Sequence, residues 1–311
     1  MTLPMANVAT ETVALRVRKY AVRVAVIVVV TLIMFVIIGG GYGDKPPLPN
    51  HLQSAGAPLL IAHRGAHSEP GSYSGIPDNS AAAIIRAMRR GYRWIEVDIQ
   101  YSADSVFFLL HDFDGSRLLR SDIRPSELNF AEISENTITS NNISTDEHVI
   151  SLDSAVALVG DSAYLYLDMK GYGHESSTEQ ARDIADYLER HNLTTRVIVA
   201  SPDILFISYL EWRNPEIVTL LERFRPPSST FVQWLPVGFR PDMYANYYRH
   251  ITPALVETLT ECDLLDRFVV FHTDSVSFFD AYEWGATRFM VDDGAYLDEF
   301  LNAPQVTPAG G

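Results

Sequence analysis

Short apolar runs alternate with longer stretches of helical period along most of this 311-residue chain, and that alternation limits the folds open to it. Runs at Leu59–Ala62, Trp94–Ile99, Val106–Leu110, Ala163–Leu167, Val197–Ala200, Thr230–Trp234, Phe268–Phe271 and Phe289–Val291 read as buried strands. Between them, Ser80–Arg90, Leu152–Val159, Ser177–His191, Pro202–Arg213, Thr252–Cys262 and Val276–Trp284 read as helices. Such an α/β order predicts a (β/α)8 TIM barrel rather than an open doubly wound sheet. The open sheet would want a glycine-rich phosphate turn after its first strand, and Gly65 stands there without a second and third glycine. Residues 112–149 are polar and weakly periodic, which suggests an excursion over the mouth of the barrel.

The amino-terminal end has a different character. Val24–Ile38 is uncharged and apolar, and as a helix its residues rise about 22 Å. With Ala21, Val22 and the glycines up to Gly43 it reaches the roughly 30 Å of a bilayer core. Arg16, Arg18, Lys19 and Arg23 all precede it, which places the amino terminus in the cytoplasm and the remainder outside. The expectation is a cytoplasmic segment (residues 1–20), a transmembrane signal anchor (21–43), a Pro-rich linker (44–58) and one barrel domain (59–311). A cleaved signal peptide with a secreted barrel, or a buried core helix, are the alternatives. The net charge of −15 argues against a nucleic-acid partner. The single cysteine, Cys262, excludes an intramolecular disulfide and reads as buried in its helix. His67, His148, His174 and His250 fall in polar stretches and read as solvated.

A barrel presents its chemistry where strands end at their carboxyl termini. Four successive apolar runs here end in His63-Arg64-Gly65, Glu96-Val97-Asp98, His111-Asp112 and Asp168-Met169-Lys170. Residues at i and i+2 share one face of a strand, so Glu96 and Asp98 point together, as do Asp168 and Lys170. Close carboxylates repel unless a cation joins them, and a hard divalent ion, Mg²⁺ or Ca²⁺, suits oxygen ligands. Lys170 is one of only three lysines in the chain. With Arg64 it supplies positive charge for a phosphoryl group, and His63 and His111 are suited to share general acid and base. Together these groups describe a phosphodiester-cleaving site.

The order His63-Arg64-Gly65, Pro77-Asp78-Asn79-Ser80, Glu96-Val97-Asp98, His111-Asp112 resembles the glycerophosphodiester phosphodiesterase family, a branch of the phosphatidylinositol phospholipase C-like TIM barrels. The resemblance implies that Glu96, Asp98 and Asp168 bind the metal, His63 and His111 form the acid/base pair, and Arg64 and Lys170 contact phosphate. It implies hydrolysis of a glycerophosphodiester to glycerol phosphate and an alcohol. Several residues depart from the pattern. Asp78 stands where the family has glutamate, and Asp78, Asn79 or Ser80 serves as a helix cap. The loop 66–76 is longer than usual. Asp168 replaces the family's glutamate in Glu-x-Lys and is similar to the sphingomyelinase D-like branch. His272 stands near a usual tryptophan, and Arg288 is unusual in a closing motif that runs to Asp292. These departures leave two other readings: a lysophospholipase D or sphingomyelinase D-like enzyme using the same site, and a non-catalytic surface scaffold.

Overall fold

The computed structural model describes residues 6–54, 57–67, 75–171, 176–226 and 230–302; the side chains of 6–19, 22, 230–231 and 272–273 are not among those described. The strands are β1 Leu59–Ala62, β2 Trp94–Tyr101, β3 Phe107–Leu109, β4 Thr137–Ser140, β5 Ile143–His148, β6 Tyr164–Met169, β7 Val197–Ser201, β8 Val218–Leu221, β9 Met243–Tyr247, β10 Phe268–Thr273 and β11 Arg288–Val291. Eight of them, β1, β2 and β6–β11, run parallel, and the barrel closes because β1 pairs with both β2 and β11.

Alternate residues of each strand face the lumen. The inward set is apolar at the floor, with Ile61, Trp94, Tyr166, Ile198, Leu220, Met243 and Met290 in one cluster. Two residues further up the same strands come His63, Glu96, Asp168, Glu222 and Asp292. The outward set packs under a ring of helices in a second, larger cluster. These include α2 Ala81–Arg89, α4 Leu152–Val159, α5 Ser177–Arg190, α6 Ile204–Arg213, α7 Pro253–Glu261 and α8 Ser275–Glu283; α3 Phe130–Ser134 belongs to the excursion, and α1 Ala6–Ile38 precedes the barrel.

Two of the expected barrel strands are corrected. The run at 106–110 gives β3, which pairs antiparallel with the far end of β2 and stays outside the barrel. Thr230–Trp234 is a turn of 3-10 helix. The barrel strands in their place are β8 and β9, whose runs are short and interrupted by Thr219 and Asn246. Both of these polar side chains are buried; Asn246 donates to the Phe224 carbonyl at 2.9 Å, and Thr219 hydrogen-bonds Glu211 at 2.5 Å. Polarity hid the strands because the partners that allow its burial lie outside each strand.

The proline-rich stretch read as a linker instead packs against the floor. Leu48 and Leu52 are buried there, worth about 1.5–3 kcal/mol each. Lys45 lies 2.6 Å from Glu211 and 2.9 Å from Asp242. His51 stacks on Tyr164, ring centres 4.6 Å apart. Arg288, the unusual residue of the closing motif, is 2 % exposed and donates to the Leu52 carbonyl at 2.9 Å. Its guanidinium thus fastens this segment beneath the last strand.

The excursion carries a core of its own. Leu118, Leu119, Ile133, Ile138 and Val149 cluster with Phe108 and Leu110, and β4 pairs antiparallel with β5. Cys262 is exposed at the end of α7, against the buried position expected.

Helix α1 covers the whole apolar run. Its last turns meet the barrel: Phe35 stacks on Phe239 at 5.0 Å, and Gly39 lies so close that a Cβ would meet Pro236 at 2.4 Å. Among the described residues no helix is long and apolar enough to cross a membrane. The uninterrupted described side chains, Arg23–Ile38, rise about 24 Å. Of these, Val24, Ile27, Val30, Ile33, Ile37 and others around the helix are exposed.

Candidate active site

The seven residues singled out from the strand ends lie together at the carboxyl-terminal mouth. Register explains part of this, because Asp98 pairs directly with Asp168 across β2 and β6. The ligand oxygens of Glu96, Asp98 and Asp168 all lie within 4.8 Å of one another. Lys170 Nζ sits 2.6 Å from Asp98 and 2.5 Å from Asp168. Arg64 Nε is 3.2 Å from Asp98, and its Nη1 donates to Asp78 at 2.7 Å.

The turn after β1 is bent to permit this. Arg64 and Gly65 both have left-handed backbone, at φ 51° and 71°. A Cβ on Gly65 would stand 2.7 Å from the Ala83 backbone, so glycine alone fits there. The Arg64 amide donates to Glu96 Oε2 at 2.6 Å. Asn79, also left-handed at φ 57°, holds Asp98 at both ends: its amide donates to Oδ2 at 2.7 Å, and its carbonyl accepts from the Asp98 amide at 2.9 Å. Of the three cap candidates, Ser80 caps α2, accepting from the Ala83 amide at 3.1 Å. Asn79 supports a carboxylate and Asp78 orients an arginine.

The electrostatics are those of carboxylates too close to share one protonation state. Burial holds the Glu96 carboxyl well above its ordinary range, and the charges of Asp98 and Asp168 push the same way. Burial, followed by Asp98, also raises Asp168 although Lys170 opposes it. Asp98 goes the other way: burial raises it, but Lys170 and Arg64 outweigh that and hold it ionised. Glu96 Oε1 is buried without a hydrogen-bond partner. An orphaned carboxylate oxygen beside two others is what a hard cation satisfies, so the residues fit the divalent ion that the resemblance implies.

His63 and His111 each have a carboxylate behind them. His63 Nδ1 lies 2.7 Å from Asp292 Oδ1, and His111 Nδ1 lies 2.6 Å from Asp112 Oδ1. Burial lowers the His63 pKa, and although the Asp292 hydrogen bond opposes it, the imidazole is neutral near pH 7. Asp292 is held far below the carboxylate range: burial raises it, but hydrogen bonds from His63 and His67 prevail. Arg117, from the excursion, bridges Asp112 at 2.6 Å and Asp78 at 3.2 Å.

Four residues escaped the strand-end reading of roles. Asp292 follows the apolar end of β11, so the same rule that found His63 would have found it. Glu222 follows β8, a strand not recognised; it is buried near Lys170, and burial with the Asp168 charge pushes its carboxyl up to about 8. Arg117 had no signal, since it comes from a polar excursion. His67, read as solvated, is 8 % exposed and borders His63. The side chain of His272 and all of His174 lie outside the described residues.

Known proteins agree with this picture. The model of the glycerophosphoryl diester phosphodiesterase family matches residues 63–264. The human glycerophosphodiester phosphodiesterase 1 is 26% identical over 271 residues, covering 79% of this chain and 76% of its own length. An Arabidopsis thaliana relative, glycerophosphodiester phosphodiesterase GDPD4, is 30% identical over 48% of this chain and 44% of its own. In fold the chain is similar to an Oleispira antarctica phosphodiesterase solved with its product sn-glycerol-3-phosphate, at a TM-score of 0.65 and 19% identity over 78% of this chain and 95% of that one. A Thermotoga maritima glycerophosphodiester phosphodiesterase superposes at 0.60, with 17% identity over 80% and 99% of the two chains. With ordered motifs, barrel and family match in agreement, the chain belongs to the glycerophosphoryl diester phosphodiesterase family and is a phosphoric diester hydrolase.

Proposed function

We propose that this hydrolase cleaves glycerophosphodiesters to glycerol phosphate and an alcohol, with a divalent ion on Glu96, Asp98 and Asp168 and with His63 and His111 moving the protons. The observation that carries the reading is the convergence of those carboxylates beside two cations and two carboxylate-backed imidazoles. When bound, Mg²⁺ or Ca²⁺ neutralises charge on the phosphoryl oxygens. The carboxylates would hold it, and Asn79 keeps Asp98 oriented for the task.

His63 is suited to be the base. It is buried and neutral, and with its Nδ1–H donating a hydrogen bond to Asp292 its lone pair is on Nε2. Nε2 takes the proton of the attacking water as oxygen bonds to phosphorus. Asp292 steadies the imidazolium that results. His111, backed by Asp112, donates its proton to the departing alcohol oxygen as that P–O bond breaks. Arg64 and Lys170 add charge against the phosphoryl oxygens, and their pairing with Asp78, Asp98 and Asp168 keeps them extended toward the mouth.

A lysophospholipase D or sphingomyelinase D-like activity is the second reading, favoured by Asp168 in place of glutamate and by the apolar α1 on the same chain. For the location we propose that residues 21–43, with Val24–Ile38 as their apolar run, anchor the protein with its amino terminus in the cytoplasm and its barrel outside. The all-round exposure of valine, isoleucine and leucine along α1 supports this. Secretion after cleavage of α1 is the alternative.

The test is hydrolysis of a glycerophosphodiester and of a lysophospholipid by purified protein, with and without chelator. Chelation should abolish alcohol release, Mg²⁺ or Ca²⁺ should restore it, and His111→Ala should cost at least about 10²-fold. Undiminished activity in chelator would refute the metal dependence, and the faster substrate separates the two readings.

A further inference from the structure

The mouth holds a second set of metal-ligating atoms, distinct from the three carboxylates. His67 lies edge-on to His63, with ring centres 5.9 Å apart and planes at 72°. Asp292 Oδ1 is 2.7 Å from His63 Nδ1 and 3.4 Å from His67 Nε2. The ligand atoms of the three residues all lie within 4.8 Å of one another. We infer that His63, His67 and Asp292 form a site for a borderline transition ion, Zn²⁺ being the type, and that filling it stops hydrolysis.

Geometry favours the ion. Ligands on a tetrahedral ion with bonds of about 2.0–2.1 Å stand roughly 3.3 Å apart. The His67–Asp292 pair already has that spacing. The His63–Asp292 pair must open by about half an ångström from its hydrogen bond, against the same spacing. The Asp292 side chain is 38% exposed and so has room to turn.

A supporting carboxylate is also in place. His67 presents its other ring nitrogen, Nδ1, toward Asp78 Oδ1 at 3.6 Å. Asp78 is itself fixed by Arg64 at 2.7 Å and Arg117 at 3.2 Å. An imidazole whose far nitrogen faces a carboxylate is the usual form of a metal-bound histidine.

Ligand chemistry separates the two sites. Glu96, Asp98 and Asp168 offer only oxygen and suit Mg²⁺ or Ca²⁺. Two imidazoles with one carboxylate favour Zn²⁺ and its neighbours over those hard ions. An ion on His63 Nδ1 breaks the Asp292 hydrogen bond and leaves the ring's proton on Nε2. That nitrogen then has no lone pair for the nucleophile's proton, and the base is lost. The inhibition rests on the function proposed above; the binding does not.

The experiment uses the full chain saturated with Mg²⁺, titrated with Zn²⁺ by calorimetry and, in parallel, in the hydrolysis assay. One Zn²⁺ should bind per chain without being displaced by excess Mg²⁺, and activity should fall with the same concentration dependence. His67→Gln should weaken Zn²⁺ binding and raise the inhibitory concentration, read against the variant's own zinc-free rate, by at least about 10-fold. Glu96→Gln, which spoils the oxygen site, should retain Zn²⁺ binding. Zn²⁺ affinity unchanged by His67→Gln, or Zn²⁺ displaced by Mg²⁺, overturns the inference. Should His67→Gln fail to fold, Co²⁺ added to the unaltered Mg²⁺-saturated protein decides. A strong visible absorption of a tetrahedral nitrogen-containing site supports the inference, and the weak spectrum of six-coordinate oxygen ligation overturns it. Protein that binds Zn²⁺ in this manner but hydrolyses no phosphodiester would sink the proposed function and leave the site standing.

Discussion

Asp292→Asn isolates the part of the mechanism that depends most on tertiary contact. Asp292 accepts from His63 Nδ1 at 2.7 Å, which fixes the tautomer with its lone pair on Nε2 and stabilises the imidazolium formed in the reaction. A charge-assisted bond of this kind is worth about 1.5–3 kcal/mol, and each 1.36 kcal/mol is tenfold in rate. We therefore expect kcat to fall roughly 10²-fold, with KM changed less than about 3-fold because Asp292 acts through His63. The pH profile adds an independent sign. His63 is already lowered by burial, and the Asp292 carboxylate opposes that lowering. Removing the charge should shift the acidic limb of kcat to lower pH. The assay is alcohol release from a glycerophosphodiester across pH, with Mg²⁺ binding measured alongside, since Asp292 is not one of the oxygen ligands. A kcat within about 3-fold of the original and an unmoved acidic limb would refute the assignment of His63 as a base held by Asp292.

Two further outcomes test the floor and the mouth. Lys45→Met leaves the buried Glu211 without its 2.6 Å partner and should cost about 3–5 kcal/mol in urea unfolding; a change under about 1 kcal/mol would mean that residues 45–52 do not hold the floor. Glu222→Gln tests the carboxyl that burial pushes up to about 8 from 4.5. The folded state then retains a proton that the unfolded state releases, so Glu222 contributes its full stability below about pH 4.5 and loses it as pH rises through about 8. In chelator, the original protein should lose up to about 5 kcal/mol more than Glu222→Gln between those limits, and parallel pH profiles for the two proteins would refute the shift.

Much of the site was legible before any fold was known because a barrel strand has a two-residue period and its carboxyl end is where the lumen opens. Glu96 with Asp98 and Asp168 with Lys170 share faces for that reason, and each follows an apolar run that marks the strand. His63 and Arg64 follow from the same rule, as do six of the eight parallel strands. His111 was found for a partly mistaken reason: β3 lies outside the barrel, and its antiparallel pairing with β2 brings His111 to the mouth.

The remainder rests on contacts between residues far apart in the chain, which no local pattern encodes. Asp292 meets His63 across 229 positions, and Lys45 meets Glu211 across 166. Strands β8 and β9 looked broken because Thr219 and Asn246 are polar, and only their buried partners make them strands. A proline-rich segment read as free chain became the barrel floor once Arg288 and Lys45 had something to grip. Periodicity along the chain thus determined the architecture and the identity of the charged pairs. Closure of the barrel decided their protonation, their partners and the company of His67, because burial and proximity exist only once distant strand ends share one mouth.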